Sequence, residues 1–262
     1  MDLAWYAYPL AIGAGILAGI INTLAGSGSV ITLPMLVWLG LPANVANGTN
    51  RIGVIVQNVV GVSTFRNSGA LDLRGWAWLT APAVLGSLLG AQIAVDLTEQ
   101  AMNYAIGIVM VIMLFMVLYN PQQWLRAHSI VTPGRPDLLT LVIFFVIGIY
   151  GGFIQAGVGI FLLAAMVMRI GYNLAHANAV KLIIILAFSI AALMVFIAND
   201  QVNWWLGILM AIGQSIGAWM AARFATTNRN ANTWVRRLLI VVILFSIAEF
   251  FGLIDLFTNL WS

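Results

Sequence analysis

The chain has no cysteine and very little charge. Among its 262 residues only 7% are charged, whereas 62% are hydrophobic; a typical soluble domain has about 25% charged residues. The lack of cysteine excludes a disulfide framework and any thiolate chemistry, either at a metal or as a nucleophile. A protein core of this size cannot absorb so much apolar surface. We therefore expect an all-α polytopic membrane protein whose helices face lipid.

Motifs of catalysis and of nucleotide hydrolysis are also missing. The sequence has no His-Glu-x-x-His, no paired carboxylates within one apolar run and no Walker motif. The Gly-Ser-Gly-Ser at 26–29 resembles a nucleophile turn only superficially, because no histidine and acid partner accompany it. The net charge of +3 comes from basic residues at the ends of apolar runs, which is typical of membrane proteins. We therefore expect neither an enzyme nor a nucleic-acid partner, and no cofactor or metal site.

Ten apolar runs fill most of the chain. They cover residues 5–25, 30–40, 45–66, 75–95, 99–119, 138–155, 159–170, 174–198, 203–223 and 235–257. A spanning helix needs about 20 apolar residues, so 30–40 and 159–170 are too short to cross alone. We interpret them as the returning arms of two helical hairpins. The whole chain is then one transmembrane domain: repeat one (5–119), a polar linker (120–137) and repeat two (138–257).

One sequence unit occurs twice. Each copy has a glycine break in an apolar stretch, a short apolar arm, a glycine, an Ala-Asn pair and a lone cation. The first copy contains Gly26-Ser27-Gly28-Ser29, Gly40, Ala46-Asn47 and Arg51, and the second contains Gln155-Ala156-Gly157-Val158-Gly159, Gly171, Ala177-Asn178 and Lys181. A Gly-x-x-x-Gly motif also occurs in both halves, at Gly86/Gly90 and Gly213/Gly217, and this motif predicts close helix packing. A glycine-broken segment in matching positions of two halves indicates a transporter's binding site.

The charges between the runs predict the topology. The basic connections are 66–74, 120–137 and 223–237, and basic connections favour the cytoplasmic side. This places both termini on the non-cytoplasmic side of the cell (inner) membrane. The first repeat then begins outside and the second begins inside. The charge pattern therefore predicts two inverted repeats, each with a broken hairpin and three spanning helices.

The two glycine breaks predict an anion site near the middle of the membrane. A broken helix is tolerated in lipid only where it meets protein or a wet cavity, so both breaks are expected to face one cavity. The half-helices begin at Ser29-Val30 and at Gly159, and helix N-termini attract anions. Ser27 and Ser29 add hydroxyl donors and can cap the first half-helix, while Gln155 adds an amide. The alternative for the glycines is close packing between helices.

Two cations lie within apolar runs, Arg51 in 45–66 and Lys181 in 174–198. A charge in the hydrocarbon is expensive and usually functional, although a long side chain near a helix end can reach the membrane surface instead. Each cation shares a helix face with polar residues, as expected for the lining of an anion pathway. The two faces are Asn47, Arg51, Val54 and Asn58, and Asn178, Lys181, Ile185 and Ser189. The candidate substrate-binding residues are Asn22, Gly26, Ser27, Gly28, Ser29, Asn47, Thr49, Asn50, Arg51, Gln155, Gly157, Gly159, Asn178 and Lys181. Glu249 and His176 are candidates for proton coupling.

The first copy of the repeated unit resembles the sulfite exporter TauE/SafE family. The resemblance is carried by Gly-x-x-Asn-Thr-Leu-Ala-Gly-Ser-Gly-Ser (19–29), Leu33-Pro34 and Gly-Leu-Pro-Ala-Asn-Val-Ala-Asn-Gly-Thr (40–49), with a weaker copy in the second half. It implies a secondary transporter of sulfite, organosulfonates or related anions, with export as the expected direction. The second copy has Ala179-Val180 where the first has Gly48-Thr49, so an unequal share of the site is expected.

Two other functions stay open at this point. One is a passive channel or permease for another small anion or solute, and the other is a membrane subunit that anchors a partner enzyme. The short polar loops leave little surface for docking an enzyme, which disfavours the second. The expected partners are therefore a small anionic substrate and the lipid bilayer. The sequence leaves open whether protons are the coupling ion and what the oligomeric state is.

Overall fold

The computed structural model describes residues 7–25, 27–67, 76–119, 136–172, 174–225 and 231–251, and every element in these ranges is helical. The helices are α1 (Ala7–Ala25), α2 (Ser29–Trp38), α3 (Ala43–Asn67), α4 (Trp76–Asp96), α5 (Glu99–Tyr119), α6 (Leu138–Phe153), α7 (Val158–Ala164, continued by a π-helix over Ala165–Ile170), α8 (Leu174–Ala198), α9 (Trp204–Ala225) and α10 (Ala231–Phe250). Gly26, both chain ends and most of the predicted linker lie outside the described residues.

Both predicted hairpins turn back on themselves. In the first, Gly28 lies against Ala18 of α1, and a groove is lined jointly by residues 9–17 of α1 and 31–38 of α2. In the second, the side chains of Asp137 and Arg169, which flank α6 and its returning arm, form an ion pair with a nitrogen–oxygen distance of 2.5 Å. The two short arms therefore return along the helices that precede them.

Glycines end both returning arms. Gly40 (φ +90°) follows α2 and Gly171 (φ +81°) follows the π-helix, and both lie in the left-handed region that L-residues with a Cβ avoid. This is the usual way in which a helix is terminated. α6 begins where the Asp137 side chain accepts a hydrogen bond from the Thr140 amide at 3.1 Å, an N-cap interaction.

The third and eighth helices occupy matching places along the chain. α3 begins at residue 43 and α8 at residue 174, an offset of 131 residues. Helices α3 and α8 have 25 residues each. The arm-ending Gly40 and Gly171 are separated by this offset as well. These two helices and the glycines before them therefore share one spacing along the chain.

Helices of the first half pack on helices of the second half. α1 packs closely on α9 and α4 packs closely on α6, while α3 contacts α8 across the middle. Gly48 of α3 lies against Phe196 of α8, and Gly61 lies against Leu182, so these two helices run antiparallel. α3 and α8 occupy the same position in their respective halves. The third helix of one half and the third helix of the other half therefore run in opposite directions.

Small residues allow these close contacts. The glycines at 86 and 90 face the backbone of α6 near Phe145 and Ile149, and the glycines at 213 and 217 face the backbone of α1. A side chain at any of the four positions would collide with a neighbouring carbonyl group. The packing role predicted for the two Gly-x-x-x-Gly pairs is confirmed.

The outer surface of the helices is apolar. Leu85, Ile93 and Val146 expose more than half of their side-chain area, as do many similar residues on α4, α5, α6 and α9. Soluble proteins rarely expose such continuous apolar surface. Three described helical stretches, Trp76–Asp96, Glu99–Leu118 and His176–Ala198, are long and apolar enough to cross a membrane. The protein is thus an all-helical, multi-pass membrane protein.

Candidate functional site

The two glycine breaks meet at one small internal cavity. Its lining comes from both halves: Asn22, Ser27, Gly28, Ser29, Val54 and Asn58 from the first, and Gln155, Gly157, Val158, Gly159 and Ile185 from the second. The cavity holds about 20 Å³, which is room for roughly one water molecule. Two regions that are far apart in the sequence therefore form opposite walls of one polar space.

The first wall presents a hydroxyl group without a partner. Ser27 is 2% exposed, and its Oγ makes no hydrogen bond within the described part of the chain. The Gly28 amide donates to Asn22 Oδ1 at 3.3 Å, and Asn22 Nδ2 donates to Gln57 Oε1 at 2.9 Å. A buried polar atom without a partner is costly, so a polar ligand is the natural partner for the Ser27 hydroxyl.

The predicted capping of α2 by serine is wrong. The N-cap residue is Gly28, and no side chain makes the capping hydrogen bond. Ser29 lies inside the first turn, where its Oγ accepts a hydrogen bond from Asn50 Nδ2 at 3.1 Å, while Asn50 Oδ1 accepts one from the Thr32 hydroxyl. Asn50, which is fully buried, therefore ties the start of α2 to α3 instead of contacting the cavity.

The second wall is built around a left-handed glycine and an amide. Gly157 has φ +71° and serves as the N-cap of α7. Gln155 Nε2 donates to Ser189 Oγ at 2.6 Å, while Gln155 Oε1 is buried and has no partner among the described residues. Because the Ser189 hydroxyl can donate as well as accept, the amide can present either its oxygen or its NH2 group to the cavity. The Gln155 amide can therefore offer either a donor or an acceptor to the cavity.

Arg51 does not line the cavity. Its guanidinium is fully buried, where Nη1 donates to the carbonyl of Gly151 at 3.2 Å and Nη2 donates to the carbonyl of Gly152 at 2.5 Å. The group also lies over the ring of Phe196, 4.7 Å from its centroid. Asn47 lies one turn earlier on α3 and donates to the carbonyl of Phe153 at 2.6 Å. Both side chains bind the C-terminal end of α6.

Other predicted residues also lie away from the cavity. Lys181 Nζ donates to Asn178 Oδ1 at 3.0 Å, and Thr49 accepts a hydrogen bond from the Asn203 amide at 2.8 Å. The His176 ring stacks on Tyr172, with 4.1 Å between ring centroids. Gly26 and the side chain of Glu249 lie outside the described residues.

The sequence of this chain matches the model of one protein family, described as sulfite exporter TauE/SafE, over residues 11–250. The chain belongs to this family. Among curated relatives, a probable membrane transporter protein (ORF9) of Sinorhizobium is 27% identical over 86% of this chain and 85% of its own length. A probable membrane transporter protein of Haemophilus influenzae is 26% identical over 92% of this chain and 93% of its own. The probable membrane transporter protein YfcA of Escherichia coli K12 is 26% identical over 89% and 87%.

No solved structure matches the chain at a significant level. The family and the names of these relatives agree on transport across a membrane. The predicted family is confirmed, and this TauE/SafE protein is a membrane transporter.

The cavity of this TauE/SafE protein includes four residues that were not among the candidates. They are Val54, Asn58, Val158 and Ile185. Three of them, Val54, Asn58 and Ile185, lie on the two helix faces that the sequence predicts to line an anion pathway. Val54 and Ile185 occupy equivalent positions in the two halves. The lining residues of α3 and α8 therefore occur one to two turns beyond each cation.

Proposed function

We propose that this protein is a secondary transporter that exports small sulfur-containing anions, such as sulfite or organosulfonates, across the inner membrane. The observation that carries the proposal is the cavity at which the two glycine breaks meet. One of its walls has a buried Ser27 hydroxyl without a partner and the other has the adaptable amide of Gln155. The family description adds the substrate class.

The chemistry of the cavity suits an oxoanion. A sulfite or sulfonate group has three acceptor oxygens, which can take hydrogen bonds from a hydroxyl group, an amide and backbone N–H groups together. α2 begins at Ser29, beside the cavity, so the positive end of its dipole faces the same space. The glycines at 28, 157 and 159 line the cavity. At Gly28 and Gly157 the missing Cβ allows close packing against Ala18 and Met113.

The arrangement of the halves suits alternating access of two inverted repeats. The third helices of the two halves, α3 and α8, run antiparallel. The close pairs α1 with α9 and α4 with α6 each join a helix of the first half to a helix of the second. A cavity of about 20 Å³ is too small for a sulfur atom with three oxygens, so the two hairpins must separate to admit the substrate. In this proposal their separation on alternate sides of the membrane moves the anion.

The topology and the coupling ion complete the proposal. Basic connections on the cytoplasmic side would leave both termini outside. Proton coupling through Glu249 and His176 predicts that an imposed pH gradient accelerates sulfite movement. Transport that does not change with the gradient would remove the protons from the mechanism while leaving the anion site in place.

The test is sulfite flux into proteoliposomes that contain the purified protein. We expect Ser27→Ala to reduce sulfite affinity by about tenfold or more, because a hydrogen bond to a charged group is worth about 1.5–3 kcal/mol. Ser246→Ala is the matched control, since this serine is also fully buried but its hydroxyl is bound by the Val242 carbonyl of its own helix at 2.7 Å. We expect the control to transport like the wild type.

The same vesicles separate a carrier from a channel. A carrier shows counterflow, in which unlabelled sulfite inside drives the uptake of labelled sulfite, whereas a passive channel does not. Equal flux in the wild type, Ser27→Ala and protein-free vesicles would overturn the proposed substrate. Flux without counterflow would replace the carrier with the passive permease.

A further inference from the structure

Three carbonyl groups at the end of α6 are held by side chains from the other half of the protein. The last four carbonyls of a helix have no partner within it. Here the Tyr150 carbonyl accepts from the Ile154 amide at 2.9 Å. Those of Gly151, Gly152 and Phe153 are bound by Arg51 and Asn47 of α3. Three of the four terminal carbonyls of α6 are therefore satisfied by the other half of the chain, and the fourth is satisfied within its own hairpin.

The charge of Arg51 has no carboxylate partner in the described ranges, where the ion pair of Asp137 with Arg169 is the one salt bridge. A fully buried cation needs compensation, because removing it from water is expensive. The compensation that the structure offers is the negative end of the α6 dipole, equivalent to about half an elementary charge, together with the ring of Phe196.

The position of this helix end matters for an anion. α6 ends at Phe153, two residues before Gln155 in the cavity wall. An uncompensated helix C-terminus at this distance would repel a negatively charged substrate. It would also weaken the attraction for anions that comes from the positive dipole end of α2, which begins at Ser29 on the first wall.

We propose that Arg51, assisted by Asn47, cancels the negative end of α6 and so makes the cavity selective for anions without touching the substrate. Arg51 is then a positioning residue for the second hairpin and a determinant of charge selectivity. The selectivity part of this inference rests on the proposed function, whereas the capping part does not. The capping also links the two repeats, since the cation belongs to one and the helix end to the other.

The experiment compares Arg51→Gln, Arg51→Lys and Asn47→Ala with the wild type. Arg169→Gln is the matched control, because it removes a half-exposed cation from the second hairpin without affecting the cavity lining. Sulfite affinity is measured calorimetrically in detergent. We expect sulfite affinity to fall about tenfold in Arg51→Gln and to stay unchanged in the control. Arg51→Lys should lose less affinity, because lysine keeps the charge but not the two parallel hydrogen bonds of the guanidinium.

Hydrogen exchange of the peptide that covers residues 151–160 is measured on the same samples without sulfite. We expect faster exchange in Arg51→Gln and Asn47→Ala, because the end of α6 loses its cap, and unchanged exchange in Arg169→Gln. A loss of sulfite affinity in Arg51→Gln with unchanged exchange would overturn the inference, since Arg51 would then contact the anion directly. Sulfite affinity within twofold of the wild type would overturn it as well.

Two outcomes keep the inference separate from the proposed function. If the wild type binds no sulfite, the proposed substrate fails, and the exchange measurement alone decides whether Arg51 caps α6. If Arg51→Gln does not fold, Asn47→Ala decides the result, because it removes the hydrogen bond to Phe153 and keeps the cation. Unchanged exchange and affinity in Asn47→Ala would then refute the capping.

Discussion

Replacing Gly157 with alanine tests the geometry of the second break. Gly157 has φ +71°, a conformation that costs an alanine about 1–2 kcal/mol. A Cβ at this position would also collide with the sulfur of Met113, which is fully buried in α5. Overpacking of this kind costs a further ~1–3 kcal/mol. We therefore expect Gly157→Ala to lose about 2–5 kcal/mol of stability.

Gly40→Ala is the matched control for the backbone part of this cost. Gly40 has φ +90°, but a Cβ there would have no heavy atom within 4 Å. It should therefore lose only the ~1–2 kcal/mol of the left-handed conformation. The assay is unfolding in mixed detergent micelles, followed by tryptophan fluorescence. Sulfite binding is measured in parallel, and we expect weaker binding in Gly157→Ala and unchanged binding in Gly40→Ala.

A double substitution isolates the collision. Met113→Ala costs stability by itself, because it leaves a cavity in the core. Combined with Gly157→Ala, however, it removes the sulfur that the new methyl group would strike. The double variant should therefore be more stable than the sum of the single effects predicts, by about 1 kcal/mol or more. Equal losses in Gly157→Ala and Gly40→Ala, with additive effects in the double variant, would refute the described packing of the break on α5.

Two further predictions concern the second hairpin. The pKa of the Asp137 carboxyl is lowered by hydrogen bonds from Thr140 and, to a lesser degree, by Arg169. Its contribution to stability is therefore complete above the unfolded-state pKa of about 4 and is lost as the pH falls through the folded-state value. Thermal unfolding of Asp137→Asn should lack this loss below about pH 4; equal pH profiles would contradict it. Gly152→Ala should lose more than ~2 kcal/mol, because a Cβ would strike the α4 backbone. Gly13→Ala on α1, which meets nothing within 4 Å, should be neutral or slightly stabilising in the same unfolding assay.

The layout of the helices could be predicted from the sequence because a membrane helix requires a long apolar run. Apolar length separates spanning helices from short arms, and the glycines at 40 and 171 mark where the arms end. The predicted arms at 30–40 and 159–170 agree with the observed helices within two residues.

The roles of individual polar residues were harder to predict, because they depend on contacts between distant parts of the chain. Arg51 and the Gly151 carbonyl are 100 residues apart in sequence. Their contact exists only because α3 docks against the end of α6. The serine cap failed for a similar reason: Asn50 of α3 binds the Ser29 hydroxyl. The residue types could be read from the sequence, but their partners required the packed structure.

The shared construction of the cavity has a consequence for biosynthesis. Ser27 belongs to the first hairpin and Gln155 to the second, and Gln155 is held by Ser189 of α8. While the ribosome is still making the first five helices, one side of the binding space does not yet exist. A separately expressed amino-terminal fragment should therefore insert into the bilayer without acquiring any affinity for substrate, and co-expression with its carboxy-terminal counterpart should restore it.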